Sequence, residues 1–473
     1  MATVACASQP FTSRRQEGYG PRQHFVATFM GGHVRHHAEQ WTLMSDLGNP
    51  FTLPCGAVVK NRFAKAAMTE KLADADQLPN GRHMKLYETW AKGGCGLLIT
   101  GNVQVDKHHL EDPGNVVIDG PQDETRMAAF KAWADQAQAD GGLAVMQISH
   151  AGRQTPANIN PAPLAPSAVA LGLPGGTFGQ PQEMTAADVE DVIERFADAA
   201  KVAAEAGFAG VQVHSAHGYL LSAFLNPLAN QRMDEYGGSL ENRARPLLMV
   251  VERIKADAPD GFIVSVKLNS SDFQKGGLST EDSLTICEWL AERGVDLLEI
   301  SGGNYEQPAM MDLSGLEKRY EEGKRESTKS REAYFLTFAE AVRERSQLPL
   351  MVTGGFRTKQ GMEDALASGA TDLIGIARPL CVHPDMPNAF LSGERSDVPS
   401  YEKQLSIGPG ILGPQSSLTL IRTLNGFSAV AFFYENINRL ADGLVPKTEM
   451  NIFFAFIRTQ GAAAKKAKAL KAA

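Results

Sequence analysis

The residues with the clearest chemical potential lie in one segment, 210–232, which reads GVQVHSAHGYLLSAFLNPLANQR. The segment opens with an apolar run typical of a buried strand, and His214, His217 and Tyr219 follow at its C-terminal end. Two imidazoles and a phenol offer several hydrogen-bond donors and one proton source in a small volume. A single histidine would be interpreted as a core residue, whereas this cluster past a strand end matches where parallel-barrel enzymes carry their chemistry. We therefore predict a catalytic centre here.

An active site at the end of one buried strand needs neighbouring strands in the same sheet, and the rest of the sequence contains candidates for them. Eight strand-like runs occur, nearly all followed by a helical pattern: Val58–Ala66, Gly96–Gly101, Leu143–Ser149, Val211–Val213, Ile263–Leu268, Leu297–Ser301, Leu350–Gly355 and Leu373–Arg378. Alternating strands and helices predict a parallel sheet of the α/β class. Eight such units predict a (β/α)8 TIM barrel. A doubly wound open sheet is the alternative, but no GxGxxG motif follows the first strand.

The barrel pattern divides the chain into three expected parts. Residues 1–43 show no periodicity and form an N-terminal extension that we expect to be disordered. Residues 44–395 carry the barrel pattern. Residues 396–473 contain an apolar helical stretch and end in KKAKALKAA, so we expect a C-terminal helical extension. Its helices would pack outside the barrel or on a partner subunit, which allows a homo-oligomer.

Composition excludes several classes of partner. The net charge of -8 disfavours nucleic acid, because phosphate backbones attract a basic surface. No apolar run reaches about 18 residues, so we expect no membrane span. The 5 cysteines are widely separated and show neither a disulfide framework nor a CxxC motif, so we predict no metal or iron–sulfur site. Cysteines this sparse are typical of a reducing cytoplasm.

The C-terminal ends of barrel strands meet on one face, so residues there are candidates for a shared site. Those that accompany the histidines and the tyrosine are Ala66, Ala67, Met68, Thr69, Gly101, Asn102, Gln147, Lys267, Gly354, Gly355, Ala377 and Arg378. Glycine N–H groups can approach an anion and arginine pairs with phosphate oxygens, so Gly354, Gly355 and Arg378 predict a phosphate-bearing ligand. The alternative is a tight turn, with Arg378 bridging to a carboxylate.

Lys267 is a cation at the mouth of the predicted barrel, and spacing alone leaves three roles open for it. It could be an ion-pair partner, a Schiff-base lysine, or a fixed charge facing an anionic cofactor. A flavin needs such a charge, because reduction places negative charge on the pyrimidine side of its ring. Gln147 and the small residues Ala66, Ala67 and Gly101 would fit beneath a flat ring that also takes amide hydrogen bonds.

Several motifs in the same order resemble those of the old yellow enzyme family of FMN-dependent oxidoreductases. They are KNRFAKAAM, GLLITGN, QISHAGRQ, HSAHGY with its continuation to NPLANQR, DEYGGSLENRARPLL, VKLNSSDF, SGG, MVTGGF and GIARPL. The resemblance covers about residues 49–387 and therefore most of the chain. The chain has no cysteine after Cys381, so it is similar to the branch without an iron–sulfur cluster.

The resemblance implies an ene-reductase that takes electrons from NADH or NADPH and reduces α,β-unsaturated carbonyl compounds. It implies that Ala66, Ala67, Met68 and Thr69 line FMN, with Thr69 near the reactive edge of the ring. Gly101 or Asn102 and Gln147 would contact the ring, Lys267 its pyrimidine end, and Gly354, Gly355, Ala377 and Arg378 the phosphate. His214 and His217 would bind the substrate oxygen, and Tyr219 would deliver a proton.

The sequence departs from the family's residues at two positions, and two other functions are alternatives to an ene-reductase. Lys71 stands where related bacterial members place a tyrosine, and many members have arginine in place of Lys267. The first rival is a Schiff-base aldolase or lyase that uses Lys267. The second is a non-catalytic scaffold, which the polar strand ends disfavour. The natural alkene is not predicted, because specificity would lie in loops such as 155–182 and 304–329.

Overall fold

Eight parallel strands close into a barrel in this computed structural model, which describes residues 46–173, 176–303 and 328–472. The strands are β1 (Phe63–Lys65), β2 (Leu97–Ile99), β3 (Leu143–Ser149), β4 (Gly210–Ser215), β5 (Ile263–Asn269), β6 (Leu297–Ser301), β7 (Leu350–Thr353) and β8 (Leu373–Ile376). Each pairs in parallel with its sequence neighbours, and β8 pairs with β1 through Ile374 and Phe63. The closed ring confirms the predicted barrel and excludes the doubly wound open sheet.

Helices follow the strands and form the outer layer. They are α1 (Gly81–Lys92), α2 (Glu124–Ala137), α3 (Ala186–Glu205), α4 (Leu220–Leu225), α5 (Leu240–Asp257), α6 (Thr280–Glu292), α7 (Thr328–Arg345), α8 (Lys359–Ala367), α9 (Arg378–Val382), α10 (Met386–Ser392), α11 (Thr419–Ala441) and α12 (Ile452–Leu470). Thr185 and Asp188 form a capping box that begins α3. Within the described part of the chain, no helix has the length and apolar character needed to cross a membrane.

The predicted first strand, Val58–Ala66, is wrong as a single element. Val58–Val59 pairs antiparallel with Phe51–Thr52 in a small hairpin, and β1 begins only at Phe63. Asn61 separates the two, because its side chain donates to Gly94 O at 2.8 Å and accepts from Phe63 N at 3.1 Å. These side-chain bonds replace the ladder bonds that a continuous strand would have made.

The barrel core is apolar where the strands begin and polar toward their ends. Ile263, Leu297 and Leu373 open their strands and belong to an apolar cluster inside the barrel. Lys267 and Glu299 lie further along β5 and β6, and both are buried. The apolar end supplies burial free energy, so the polar end is the place where the chain can carry chemistry.

The C-terminal extension contains helices α11 and α12, and α11 contacts α1 and α9 on the outside of the barrel. Arg82 of α1 donates from Nε to Asp442 Oδ1 at 2.7 Å, and Lys466 of α12 donates to Ala73 O. These contacts agree with helices that pack on the barrel exterior. The expected N-terminal extension, residues 1–43, lies outside the described residues, as do residues 304–327 of one predicted specificity loop.

Candidate active site

The two histidines and the tyrosine form one aromatic cluster at the end of β4. The His214 ring centroid lies 5.0 Å from that of His217 and 4.9 Å from that of Tyr219, both nearly perpendicular. The turn brings them together because His217 and Gly218 both adopt positive φ, 63° and 80°. Positive φ is strained for a histidine, and such strain is concentrated at functional sites. The predicted cluster is therefore formed by local backbone geometry.

Both histidines are neutral hydrogen-bonding groups near pH 7. Burial, reinforced by the Lys267 ammonium, holds the pKa of His214 and of His217 well below the ordinary value. His214 Nδ1 accepts from Ala216 N at 3.2 Å, so its proton lies on Nε2. His217 Nε2 lies 2.6 Å from Ser301 Oγ. If Ser301 donates there, Nδ1 of His217 carries the proton and is a second donor.

A chain of buried polar side chains crosses the barrel beneath this cluster. Lys267 Nζ lies 2.9 Å from Glu299 Oε1. Gln212 Nε2 donates to Glu299 Oε2 at 3.0 Å, and Gln147 Nε2 donates to Gln212 Oε1 at 2.7 Å. The structure thus joins the two residues predicted to contact a flavin ring, Gln147 and Lys267, through Gln212 and Glu299. Lys267 therefore forms an ion pair with Glu299, which is one of the three roles that the sequence left open for it.

The ends of β1 and β2 are held together by a buried carboxylate that the sequence analysis missed. Glu70 accepts from Gly101 N at 2.8 Å and from the Tyr87 hydroxyl. Burial raises the pKa of Glu70 above the ordinary value. A Cβ at Gly101 would lie 2.2 Å from Glu70 Oε2, so only glycine permits this approach. Ala67, which precedes this carboxylate in the chain, is partly exposed.

Glu111 connects predicted site residues from three strand ends. Its carboxylate accepts from Asn102 Nδ2 at 2.7 Å, from the Thr69 hydroxyl and from the Tyr219 hydroxyl. Asn115 holds the turn that carries it, because its Oδ1 accepts from Glu111 N at 3.1 Å. Glu111 lies well beyond the end of β2, so its spacing from the strand gave no signal; the only sequence signal is the acidic EDPGN turn.

The ends of β7 and β8 are adjacent, since Thr353 pairs with Gly375. Gly354 and Gly355 follow β7 with φ of 134° and 75°, and a Cβ at Gly354 would meet open space. Ala377 and Arg378 begin α9 on the neighbouring strand end. The structure therefore brings the four residues predicted to bind a phosphate to one corner of the barrel mouth.

Arg378 also has a carboxylate neighbour from the C-terminal extension. Its Nη1 lies 3.8 Å from Glu402 Oε1, and Arg357 Nη2 lies 2.7 Å from the same oxygen. Glu402 thus fixes two arginines beside Gly354 and Gly355. The ion pair between Arg378 and a carboxylate, which the sequence left open as an alternative, is present. The Arg378 guanidinium still lies next to the turn formed by Gly354 and Gly355.

These residues fit FMN on two observations. The buried atoms Asn102 Oδ1 and Thr353 Oγ1 have no hydrogen-bond partner among the residues that the structure describes. Buried polar atoms are nearly always paired, so a polar ligand at the strand ends would satisfy both. Gly354 and Gly355 have positive φ at the strand end next to Arg378, and such a turn beside an arginine suits a phosphate dianion. Lys267 offers a cation for the other end of the ligand.

A buried group of Asp106, His109 and His150 has ligand atoms close enough to hold a metal ion. Its hydrogen bonds argue against that use. His150 Nδ1 accepts from Gly152 N at 3.1 Å and His109 Nε2 accepts from Leu164 N at 2.9 Å. The other nitrogen of each ring therefore carries the proton and faces the Asp106 carboxylate, at 2.7 Å for His109. We assign the group as a structural hydrogen-bond network.

A closed parallel barrel with a glycine turn beside an arginine and a buried cation at its mouth is the arrangement expected of a flavin-binding barrel enzyme. The sequence model of the NADH:flavin oxidoreductase / NADH oxidase family matches residues 46–396. The chain belongs to this family, which includes the old yellow enzyme homologues that the sequence resembles. It is an FMN-dependent oxidoreductase with NADH or NADPH as the electron donor.

Individual relatives agree with the assignment. An NADH-dependent flavin oxidoreductase of Hypocrea jecorina is 35% identical, and the match covers 82% of this chain and 98% of that protein. One from a Neonectria species is 40% identical over 73% of this chain, but the chain spans only 47% of that protein. The solved old yellow enzyme homologue from Zymomonas mobilis aligns with a TM-score of 0.62 at 25% identity, covering 74% of this chain and 94% of that one.

Proposed function

We propose that the protein is an ene-reductase that reduces the C=C bond of α,β-unsaturated carbonyl compounds. The observation that carries the proposal is the cluster of two neutral histidines and a tyrosine at the end of β4. Bound FMN would supply the hydride that it receives from NADH or NADPH. The chain's own side chains would then have to stabilise charge on the carbonyl oxygen and provide one proton.

His214 and His217 would bind the carbonyl oxygen. Hydride addition to the β-carbon drives negative charge onto that oxygen, and donors already aimed at it stabilise the charge without reorganisation. Nε2–H of His214 is available for this because Nδ1 accepts from Ala216 N. Their lowered pKa keeps both rings neutral, so they donate hydrogen bonds without transferring a proton at neutral pH.

Tyr219 would protonate the α-carbon as general acid. Its ring packs perpendicular to His214, and the side chain is 4% exposed, so its hydroxyl is fixed and shielded from bulk water. The cofactor would lie on residues from six strand ends. We assign this role to Ala66, Ala67, Met68, Thr69, Gly101, Asn102, Gln147, Lys267, Gly354, Gly355, Ala377 and Arg378.

The test is Tyr219→Phe, with each half-reaction followed by flavin absorbance under anaerobic conditions. Loss of a general acid slows its step by about 10²–10⁴-fold, so reoxidation by cyclohexenone should slow by that order. Flavin reduction by NADH should stay within about twofold, because it needs no proton from Tyr219. Tyr401→Phe, a tyrosine that contacts His383 in the C-terminal region, is the matched control. Equal slowing of both half-reactions would contradict the assigned role.

The remaining expectations about partners and location are proposals as well. The substrate would be a small unsaturated carbonyl compound, with no nucleic-acid or membrane partner. We infer a cytoplasmic enzyme from its few, dispersed cysteines. A homo-oligomer through α11 and α12 stays a prediction, which the molar mass measured by light scattering would test.

A further inference from the structure

Among the residues that the structure describes, Tyr219 has an acidic partner, Glu111, that no feature of the predicted site anticipates. The phenol donates its hydrogen bond to the Glu111 carboxylate. The same carboxylate accepts from Asn102 Nδ2 at 2.7 Å and from the Thr69 hydroxyl. Three donors from three strand ends therefore fix the carboxylate against the phenol, and these charge-assisted hydrogen bonds are strong ones.

Burial differs between the two partners in a way that suits proton transport. Tyr219 is 4% exposed, and Leu220 and Gly218 beside it are buried. Glu111 is only partly buried, as is Thr69 at its side. A phenol that loses its proton inside this site has little contact with water, whereas the glutamate bonded to it is partly exposed.

The loop that carries Glu111 is anchored independently of Tyr219. Asp112 Oδ2 lies 2.9 Å from Lys71 Nζ, and Lys71 lies over the Tyr434 ring of α11 at 4.3 Å. Asp112 N also donates to Asn115 Oδ1 at 2.9 Å. These contacts hold the loop in place, so the carboxylate does not depend on the phenol for its position.

We propose that Glu111 is a positioning residue that returns a proton from solvent to Tyr219 after each turnover; this inference rests on the proposed function. The Tyr219 O–H bond breaks as the C–H bond forms at the α-carbon, while the β-carbon receives the hydride. A proton from water then enters at Glu111 and passes to the phenolate oxygen. The alkene gains one hydride and one proton, and both side chains return to their starting state.

The relay has a kinetic signature in the Glu111→Gln variant. Glutamine keeps the size of the side chain and an acceptor oxygen for the phenol, but it does not carry a proton from water. Tyr219 still holds one proton at the start, so a single reoxidation of the reduced enzyme by cyclohexenone should stay within about twofold of the unaltered protein. Flavin reduction by NADH should be unchanged too. Only steady-state turnover should fall, by roughly tenfold or more, because each new cycle waits for the phenolate.

Two further variants separate proton supply from packing. Glu111→Ala opens space beside Tyr219, and formate should restore its turnover while formamide, of the same size, should not. In a Tyr219→Phe background, Glu111→Gln should cause no additional loss of turnover, because the residue acts through the phenol. These measurements use the FMN-loaded enzyme, and FMN content and thermal midpoint are recorded for each variant.

Each outcome decides the proposal. Unchanged steady-state turnover in Glu111→Gln would overturn the relay. Slowing of the single reoxidation as much as of turnover would assign Glu111 a packing role only, as would equal rescue by formate and formamide. If cyclohexenone fails to reoxidise the unaltered reduced enzyme, the proposed function itself fails. If cyclohexenone works and Tyr219→Phe slows it while Glu111→Gln does not change turnover, the relay alone fails.

Discussion

Replacing Lys267 by methionine should destabilise the barrel, because it leaves the Glu299 carboxylate charged and unpaired in the core. The side chains of Lys267 and Glu299 are 5% and 0% exposed, and their charged atoms lie 2.9 Å apart. Removing one partner of a buried pair costs about 3–5 kcal/mol of unfolding free energy, since a desolvated charge remains. Methionine preserves most of the unbranched side chain, so packing changes little.

The double variant Lys267→Met with Glu299→Gln provides the decisive comparison. The glutamine oxygen can still accept from Gln212 Nε2, which donates to Glu299 Oε2 at 3.0 Å. With no buried charge left, most of the loss should be recovered, leaving a deficit of about 1 kcal/mol from one weakened hydrogen bond. Neighbouring residues couple, so the double variant should be more stable than the sum of the single changes predicts.

Urea unfolding of the apoprotein followed by tryptophan fluorescence measures these differences without a contribution from cofactor binding. Lys60→Met is the control, because Lys60 pairs with Asp140 at the surface and such pairs contribute little. A loss below about 1 kcal/mol for Lys267→Met would refute the argument that the pair is a desolvated one. So would a double variant no more stable than the single one.

Three further predictions concern pH, packing and cofactor affinity. Burial lowers the pKa of His83 to about 3. The contribution of His83 to the free energy of unfolding is therefore present at pH 7 and is lost as pH falls below about 6.5, by about 2 kcal/mol at pH 5. Urea titrations at pH 7 and pH 5 should show a smaller loss in His83→Gln than in the unaltered protein, and an equal loss would contradict this prediction. Gly101→Ala should lower FMN content, because the added Cβ would lie 2.2 Å from Glu70 Oε2; full FMN content in the purified variant would count against the close approach. Arg378→Ala should weaken FMN binding by about 10–100-fold, because it removes a charge-assisted hydrogen bond. An unchanged Kd in a fluorescence titration of the apoprotein with FMN would contradict a role for Arg378 in binding the phosphate.

The fold was predictable from the sequence because its strands are short, mostly apolar and separated by helical segments. Leu143–Ser149 and Leu297–Ser301 were predicted with the bounds that the structure shows. Strands buried on both faces read as nearly continuous apolar runs, which makes them easy to locate. The start of β1 was missed because Asn61 interrupts an otherwise strand-like run through side-chain bonds that periodicity does not report.

The arrangement of the candidate site was predictable where its residues lie near the C-terminal end of a strand, as His214 and Gln147 do. Glu299 was missed because it lies inside a strand, where a single acid in an apolar run carries no sign of its partner. Glu111 was missed because its position depends on a turn fixed by Asn115. Both carboxylates are defined by contacts between distant segments, and no local pattern encodes such contacts.

The most direct test of the central assignment is an absorbance spectrum of the purified protein from roughly 300 to 600 nm, the range in which oxidised flavins absorb. The protein should carry FMN that bleaches with NADH or NADPH without oxygen and regains its colour when cyclohexenone is added. Recovery of colour only with oxygen would leave the family assignment in place and contradict the proposed alkene reduction. A colourless protein that FMN cannot reconstitute would contradict the flavin site itself.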